Sequence, residues 1–470
     1  MFYNEILPLT AHSFSSLNLH PDLLTNLSSL GYTEMTEIQA QSLPHILLGK
    51  DLIGQGKTGS GKTAAFGLGL LNKLNVKRFR IQTIVLCPTR ELADQVAKEL
   101  RKLARTIHNI KILTLCGGVP FGPQVGSLEH GAHIIVGTPG RIEDHLGRGT
   151  LTLNDVDTLI LDEADRMLDM GFQDSLDAIV SRIPDERQTL LFSATFPKKI
   201  EAIANKIMNK PEMVEAKSEH TEQTIEQHFF KVEDDTQRID AIKLLLLEHK
   251  PETSIIFCNT KREVQVVVNA MNSFGFSAVA LHGDLEQRDR DQTLVRFSNN
   301  SASIMVATDV AARGLDIATL DAVFNYQIAN DSEVHVHRIG RTGRAGSKGI
   351  ACTLYSNKES YKLGLLEDYL KRTIESEILP SADVLNNAPV EPKMATIQLD
   401  AGKKQKIRPG DILGALTGDN GLEGSQVGKI QLGATWAYVA VEKGLVKKAL
   451  KKLAQDKLKG RNVRVRQITD

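Results

Sequence analysis

Short apolar runs, each followed by a longer polar stretch of helical pattern, constrain this chain more than any other feature. Residues 83–87, 112–115, 133–136, 158–161 and 189–192 form one set, and residues 254–257, 278–281, 303–306, 322–324 and 350–354 form a second. A strand that is apolar on both faces must be covered on both sides, and parallel neighbours need a long crossover between them. The pattern therefore predicts two α/β domains in tandem, joined by the polar stretch 209–224. At 470 residues the chain is too long for one ordinary core and suggests about three domains.

Ahead of the first set lies Gly56-Lys57-Thr58-Gly59-Ser60-Gly61-Lys62-Thr63, a G-x-x-x-x-G-K-[ST] pattern. Glycines let the backbone approach a polyphosphate closely, so that the N–H groups of Gly59, Ser60 and Gly61 can cradle the anion. Lys62 adds a point charge, Thr63 offers a hydroxyl to Mg2+, and a helix expected over residues 64–71 aims its positive end at the phosphates. A Gly-rich surface turn is the bland alternative. In open α/β sheets, ligands collect past the carboxyl ends of strands. There, run 158–161 leads into Asp162-Glu163-Ala164-Asp165, which also fits an acid-rich helix start. After a phosphate loop, Asp162 is the candidate to hold Mg2+ through water and Glu163 to orient an attacking water. In the second half, His337-Arg338-Ile339-Gly340-Arg341-Thr342-Gly343-Arg344 offers Arg341 and Arg344 to stabilise phosphoryl-transfer charge, although it also fits a generic basic loop.

Composition narrows the class. No run approaches the apolar length of a membrane span, and the first residues lack the basic start and apolar core of a signal peptide. Cys87, Cys116, Cys258 and Cys352 are far apart and sit in apolar runs, which predicts buried reduced thiols and a cytoplasmic setting rather than zinc or disulfides. The net charge of zero is uneven, because residues 394–470 carry 15 Lys plus Arg against 7 Asp plus Glu. A basic tail suggests a nucleic-acid contact.

Taken together, the motifs resemble the DEAD-box RNA helicases over about residues 12–375. The resemblance rests on Gly31-Tyr32 through Ile38-Gln39, the phosphate loop, Pro88-Thr89-Arg90-Glu91-Leu92-Ala93, Gly117-Gly118, Thr138-Pro139-Gly140-Arg141, Asp162-Glu163-Ala164-Asp165 and Ser193-Ala194-Thr195. It continues in Gln287 with Arg290, Ala312-Arg313-Gly314-Leu315-Asp316, and the arginine-rich octet. It implies two RecA-like domains, spanning 1–210 and 220–378, that close over ATP and RNA. By the same resemblance Gln39 reads adenine, with Tyr32 and Phe14 stacking near it. Asp316 contacts the ribose, and Arg341 and Arg344 complete the site. Ser193 and Thr195 couple nucleotide to RNA through Asp165 and His337. RNA contacts are implied at Thr89, Arg90, Gly118, Thr138, Arg141, Gln287, Arg290 and Thr308. Two positions depart from the family pattern: Gly56 stands where Ala is usual, which suggests a more mobile phosphate loop, and Met35 where Pro is common.

Three prolines mark residues 379–393 as a linker, and residues 394–470 read as a separate small α+β domain of order βαββαβ. That order suits an RNA-recognition (RRM-like) fold, with helices on one sheet face and RNA on the other. Alternation along residues 435–441 turns Trp436 and Tyr438 away from the helices, and Arg464 alternates likewise with Val463 and Val465. The sheet face is thus one candidate RNA surface; the rival is basic and includes Lys403, Lys404 and Arg408. The aromatic-rich third-strand signature of that fold is absent, and a lone Trp fits a core equally well. Residues 402–416 resemble the C-terminal domain of the DbpA branch of the family. That implies recognition of a 23S ribosomal RNA hairpin and a role in assembling the large (50S) ribosomal subunit; nothing in the sequence signals an oligomer, so a monomer is expected. The expected activity is RNA-dependent ATP hydrolysis with local RNA unwinding; an ATP-gated RNA clamp is the alternative.

Overall fold

The computed structural model describes residues 12–56, 59–216, 225–312, 320–343, 348–455 and 458–469. Among them, β1 (Leu52–Gln55), β2 (Thr83–Leu86), β3 (Ile112–Leu115), β4 (Ile134–Gly137), β5 (Thr158–Asp162), β6 (Gln188–Ser193) and β7 (Glu212–Glu215) form one sheet. Its order is β3-β4-β2-β5-β6-β1-β7, and every pairing is parallel. Residues alternate between two cores. Val85, Ile160 and Phe192 pack with helices Lys62–Lys73 and Arg90–Leu103, whereas Ile84, Leu159 and Leu191 pack with Pro139–Gly147 and Lys198–Ile207. Both faces are therefore covered, which is why these strands read as unbroken apolar runs.

Strand β7 falls inside the stretch expected to be a connector. It adds to the edge beside β1 and buries only Val214, so its hydrophobic signal was too weak to see. Asp51 pins this edge, accepting hydrogen bonds from the Thr189 and Asn209 backbone N–H groups, each at 2.7 Å.

The chain divides into two compact units between β7 and the next strand. The second unit contains β8 (Ile225–Lys231), β9 (Ser254–Cys258), β10 (Ala278–Leu281), β11 (Ile304–Thr308), β12 (Ala322–Asn325) and β13 (Gly349–Tyr355). They form another parallel sheet, in the order β10-β11-β9-β12-β13-β8. The same unit carries an antiparallel sheet of β14 (Met394–Leu399), β15 (Val427–Leu432), β16 (Ala437–Glu442) and β17 (Val465–Gln467), in the order β15-β16-β14-β17. Helices Pro409–Thr417 and Val446–Gln455 cover one of its faces. The order βαββαβ is as expected, and Ala437, Val439 and Val441 face that helical core.

The other face departs from expectation. Thr396, Gln398, Tyr438 and Ala440 point away from the helices, yet all are buried. Helix Gln287–Ser298 and the turn after it lie against them: Ser301 Oγ is 2.7 Å from Thr396 Oγ1, and Lys429 Nζ donates to the Ser298 carbonyl at 2.9 Å. Gln292 Nε2 reaches Gln398 Oε1 at 3.5 Å. Tyr438 is therefore not an open stacking platform, because a polar helix end satisfies the polar groups of that face. Trp436 remains half-buried, its ring 4.6 Å from Tyr438, and Arg464 is exposed. Nor is the stretch before β14 a loose spacer. Leu379 and Val384 pack onto the parallel-sheet core, a short turn of helix forms at Ala382–Asn386, and Lys393 pairs with Glu252 at 2.6 Å.

His335 gives this unit a pH signature. It is 1 % exposed, lies against Phe229 with ring centroids 5.9 Å apart, and neither ring nitrogen has a hydrogen-bond partner among the described residues. Burial, then Arg338 and Arg372, push its pKa from 6.5 to about 3. Between those values the unfolded chain binds the proton and the folded chain does not. Stability is therefore complete above pH 6.5 and falls as the pH drops toward 3, by at most about 1.4 kcal/mol per pH unit from this group. Urea unfolding from pH 7 to 5 should show that slope, and His335→Phe, which keeps the ring contact, should remove it.

Candidate nucleotide and RNA sites

The phosphate loop leaves β1 and returns into helix Lys62–Lys73, which begins two residues earlier than expected. Gly59 and Gly61 take φ of 88° and 95°, the left-handed region that favours glycine. A Cβ on Gly61 would also lie 2.4 Å from Gln39 Nε2. Gln39 donates to the Gly61 carbonyl at 3.1 Å and accepts from the Thr36 N–H at 3.0 Å, so the segment expected to read adenine is fastened to the phosphate loop. Tyr32 and Phe14 meet edge-on at 6.3 Å, but Phe14 is packed into the core at 4 % exposed and the Tyr32 hydroxyl is bound to Glu99 at 2.7 Å.

Beside the loop, Lys62 is buried and donates to the Gly56 carbonyl. Asp162 ends β5 and Thr63 opens the helix. Burial pushes the Asp162 carboxyl up to about 7 against the pull of the Lys62 ammonium, and it pushes Lys62 down against the nearby carboxylates. Both charges are expensive here without a ligand. Asp162 Oδ1 and Ser60 Oγ are buried with no hydrogen-bond partner among the described residues. A polyphosphate with a hard divalent cation would supply what both lack, so the donor set fits Mg2+ held between nucleotide, hydroxyl and carboxylate.

Glu163 caps the next helix with φ of 54°, a left-handed conformation rare for a non-glycine residue. Its carboxylate lies 3.2 Å from Arg166 Nη1, and both side chains are almost wholly buried. Asp165 bridges to the end of β6: its Oδ2 accepts from the N–H groups of Ala194 and Thr195, each at 3.2 Å, and from Thr195 Oγ1 at 3.1 Å. Its own N–H reaches Ser193 Oγ at 3.4 Å. The structure thus brings together the coupling candidates Asp165, Ser193 and Thr195 of this unit.

Candidate RNA residues of the first unit follow β2, β3 and β4, which are neighbours in the sheet. Thr89 caps helix Arg90–Leu103, accepting from Leu92 N–H at 3.2 Å, and Arg90 lies 3.8 Å from Asp94. Gly118 takes φ of 73°. Thr138 Oγ1 accepts from the Gly117 N–H at 3.4 Å, and Arg141 donates to the Val119 carbonyl at 3.0 Å. In the second unit, Gln287 and Arg290 share the first turn of helix Gln287–Ser298, and Arg290 donates to the Ala311 carbonyl at 2.9 Å, next to Thr308 at the end of β11. His337 lies on helix Ser332–Ile339 and Arg341 just beyond it, 5 % exposed. Asp316 and Arg344 lie outside the described residues. Lys403, Lys404 and Arg408 are exposed. All four cysteines are buried and unpaired.

Comparison with known proteins agrees with this geometry. Three families match: DEAD/DEAH box helicase over residues 36–203, helicase conserved C-terminal domain over 237–346, and DbpA RNA binding domain over 396–467. The ATP-dependent RNA helicase DbpA of Escherichia coli is 53 % identical over 97 % of this chain and 99 % of its own. The chain belongs to the DEAD-box ATP-dependent RNA helicases. The helicase is also 45 % identical over 79 % of its chain to CshA of Geobacillus kaustophilus, covering 79 % of that protein. Among solved structures, Dbp5 of S. cerevisiae bound to RNA and ADP BeF3 covers 78 % of this chain and 96 % of its own, with a TM-score of 0.70 and 32 % identity. The two parallel-sheet domains are thus RecA-like, as expected, and the enzyme binds ATP and RNA. Among the described residues, no helix is long and apolar enough to cross a membrane.

Sequence reasoning missed two residues of this helicase. Thr36 caps the helix that carries Gln39, and a [ST]-x-x-[EQ] pattern at Thr36-x-x-Gln39 was the available signal. Arg338, read only as one cation in the octet, is 1 % exposed; it pairs with both carboxylate oxygens of Asp309 and donates to Asn259 Oδ1 at 2.7 Å and to the Gln327 carbonyl at 2.9 Å. It joins the ends of β9, β11 and β12 to the helix that precedes Arg341. Arg338→Ala would strand Asp309, costing about 3–5 kcal/mol in a denaturant melt. Gly56, in contrast, is not in the left-handed region, and a Cβ there meets only Ser60 Oγ at 3.1 Å and looser neighbours. Gly56→Ala should raise stability by about 0.4–1 kcal/mol and leave the KM for ATP no higher than in the parent.

Proposed function

We propose that this helicase hydrolyses ATP in response to RNA, uses the cycle to separate short RNA duplexes, and is directed by its C-terminal domain to a 23S ribosomal RNA hairpin during assembly of the large ribosomal subunit. The match of residues 396–467 to the DbpA RNA binding domain, within a relative aligned over nearly the whole chain, carries the targeting part. Thr63 and Asp162 would hold Mg2+, partly through water, and the orphaned Asp162 oxygen supports that role. The cation would neutralise phosphate charge. Lys62 binds the phosphates, the backbone of Gly59, Ser60 and Gly61 cradles them, and Gln39 selects adenine. Glu163 orients the attacking water, while Asp316, Arg341 and Arg344 act from the second domain. Thr89, Arg90, Gly118, Thr138, Arg141, Gln287, Arg290 and Thr308 hold the RNA backbone, which carries little sequence information.

For the C-terminal domain, burial of Tyr438 favours the basic surface over the sheet face. Lys403, Lys404, Arg408 and Arg464 are then the contacts, with Trp436 at the margin. The helicase works as a cytoplasmic monomer with the domain division 1–210, 220–378, 379–393 and 394–470.

Two measurements test this reading. ATPase stimulation by a 23S fragment bearing the hairpin should half-saturate well below that of an unrelated RNA of equal length, and Lys403→Ala with Arg408→Ala should abolish the preference while keeping stimulation by both. Equal half-saturation in the parent protein would discard the targeting. Glu163→Gln should lower kcat about 100-fold or more while retaining ATP-dependent RNA binding. Normal turnover by that variant would remove Glu163 from the water-orienting role.

A further inference from the structure

Beneath the loop that carries Gly118 lies a connected set of side chains with no part in the motifs. Gln124 donates to the Cys116 carbonyl at 3.1 Å and reaches the Pro120 carbonyl at 3.5 Å. Its Oε1 faces His145 Nε2 at 3.3 Å, and His145 Nδ1 lies 2.8 Å from Thr150 Oγ1. The ring of Phe121 stacks on His145 at 4.2 Å with 19° between planes. Over the Phe121 ring sit the guanidinium carbons of Arg148 at 4.6 Å and Arg141 at 5.7 Å. Gln124 is 7 % exposed and His145 is fully buried.

The bonding pattern fixes the chemistry of this cluster. Because the Gln124 amide nitrogen is committed to carbonyls, its oxygen must face the imidazole. A neutral His145 satisfies that arrangement by donating from Nε2, with the single Thr150 hydroxyl proton shared between Nδ1 at 2.8 Å and the His145 carbonyl at 3.1 Å. Burial first, then Arg141 and Arg148 against the opposing Asp144, hold its pKa below the usual histidine range. The loop residues Cys116, Gly117, Val119 and Pro120 are all tied to side chains beneath them, through Gln124, Thr138 and Arg141. A loop fixed in this way does not have to be ordered when a ligand arrives, which lowers the entropic cost of binding.

We infer that Phe121, Gln124 and His145 are positioning residues for RNA: they preset the Gly117–Pro120 backbone and the Arg141 guanidinium. They touch neither the phosphate loop nor Asp162 and Glu163, so their loss weakens RNA binding without slowing the chemical step. The inference rests on the reading of Gly118, Thr138 and Arg141 as RNA contacts.

The experiment uses the full chain and an unstructured RNA homopolymer, which engages the core without the hairpin. ATPase is measured against RNA concentration, and RNA affinity by anisotropy with a non-hydrolysable ATP analogue. Gln124→Leu and His145→Phe should raise the half-saturating RNA concentration about tenfold, with kcat at saturating RNA within about twofold and the KM for ATP unchanged. His145→Gln, which keeps a donor toward Gln124, should recover more RNA affinity than His145→Phe. If Gln124→Leu does not fold, Phe121→Leu carries the same test with a smaller shift. Unchanged half-saturation overturns the inference, and so does an equal loss of ATP and RNA affinity, which would mean general disorder. An Arg141→Ala protein separates the two levels. If it loses RNA affinity while the cluster variants do not, the positioning role fails; if it retains RNA affinity, the reading of the loop as an RNA contact fails.

Discussion

A parallel strand delivers the residues after it to the same edge of the sheet as its neighbours do, and both candidate sites of the first domain depend on that. The order β3-β4-β2-β5-β6-β1-β7 divides one edge into two halves. Strands β1, β5 and β6 end in the phosphate loop, Asp162-Glu163 and Ser193; strands β2, β3 and β4 end in Thr89, Gly118 and Thr138. The boundary is the pairing of β2 with β5. No long-range device is needed to place the candidate nucleotide residues beside the candidate RNA residues, because the hydrogen-bond pattern of a parallel sheet already does so.

Within the nucleotide half, the dominant cost is electrostatic. Lys62, Asp162, Glu163, Asp165 and Arg166 are all buried, in a space where isolated charges are unfavourable. Asp165 meets this cost fully, with backbone and hydroxyl donors from the end of β6. Asp162 does not, and its raised pKa and unpartnered oxygen express the same deficit. Such contrast between adjacent carboxylates separates a structural role from a ligand-binding one more clearly than the four-letter motif can. Asp165 has two backbone N–H groups and a hydroxyl around one oxygen, so it ties the end of β5 to the end of β6.

Much of this was legible in the sequence because the strands are covered on both faces. Each of the ten apolar runs became a strand, and the βαββαβ order of the tail followed from alternation and turn residues. What escaped had a physical reason. Strand β7 buries one side chain and so lacks a run to detect. Tyr438 alternates as expected, yet alternation says only which face a residue is on, and not what covers that face. Arg338 and Arg341 are three residues apart in one basic segment, and nothing local distinguishes a cation committed to Asp309 and Asn259 from one placed elsewhere.

The covered sheet face also changes how the C-terminal domain can act. Helix Gln287–Ser298 carries Gln287 and Arg290 in its first turn and meets Gln398, Gln431 and Thr396 through Gln292, Ser298 and the residues beyond. A helix of that length is a rigid rod, so the basic surface of the small domain keeps a set direction relative to the candidate RNA residues Gln287 and Arg290 at the other end. The hydrogen bonds across the contact are made by Gln292, Ser298 and Ser301 with Gln398, Gln431, Thr396 and Lys429. Polar contacts of this kind are directional, and a change of register would leave buried hydroxyl and amide groups unpaired. Orientation is thereby specified more strongly than affinity. Residues 379–393 reinforce this, because they lie along the same parallel-sheet domain through Leu379, Val384 and the Lys393–Glu252 pair. On the proposed reading, RNA bound by the small domain would be presented at a set angle to the parallel-sheet domain of the same unit, and not merely concentrated near it.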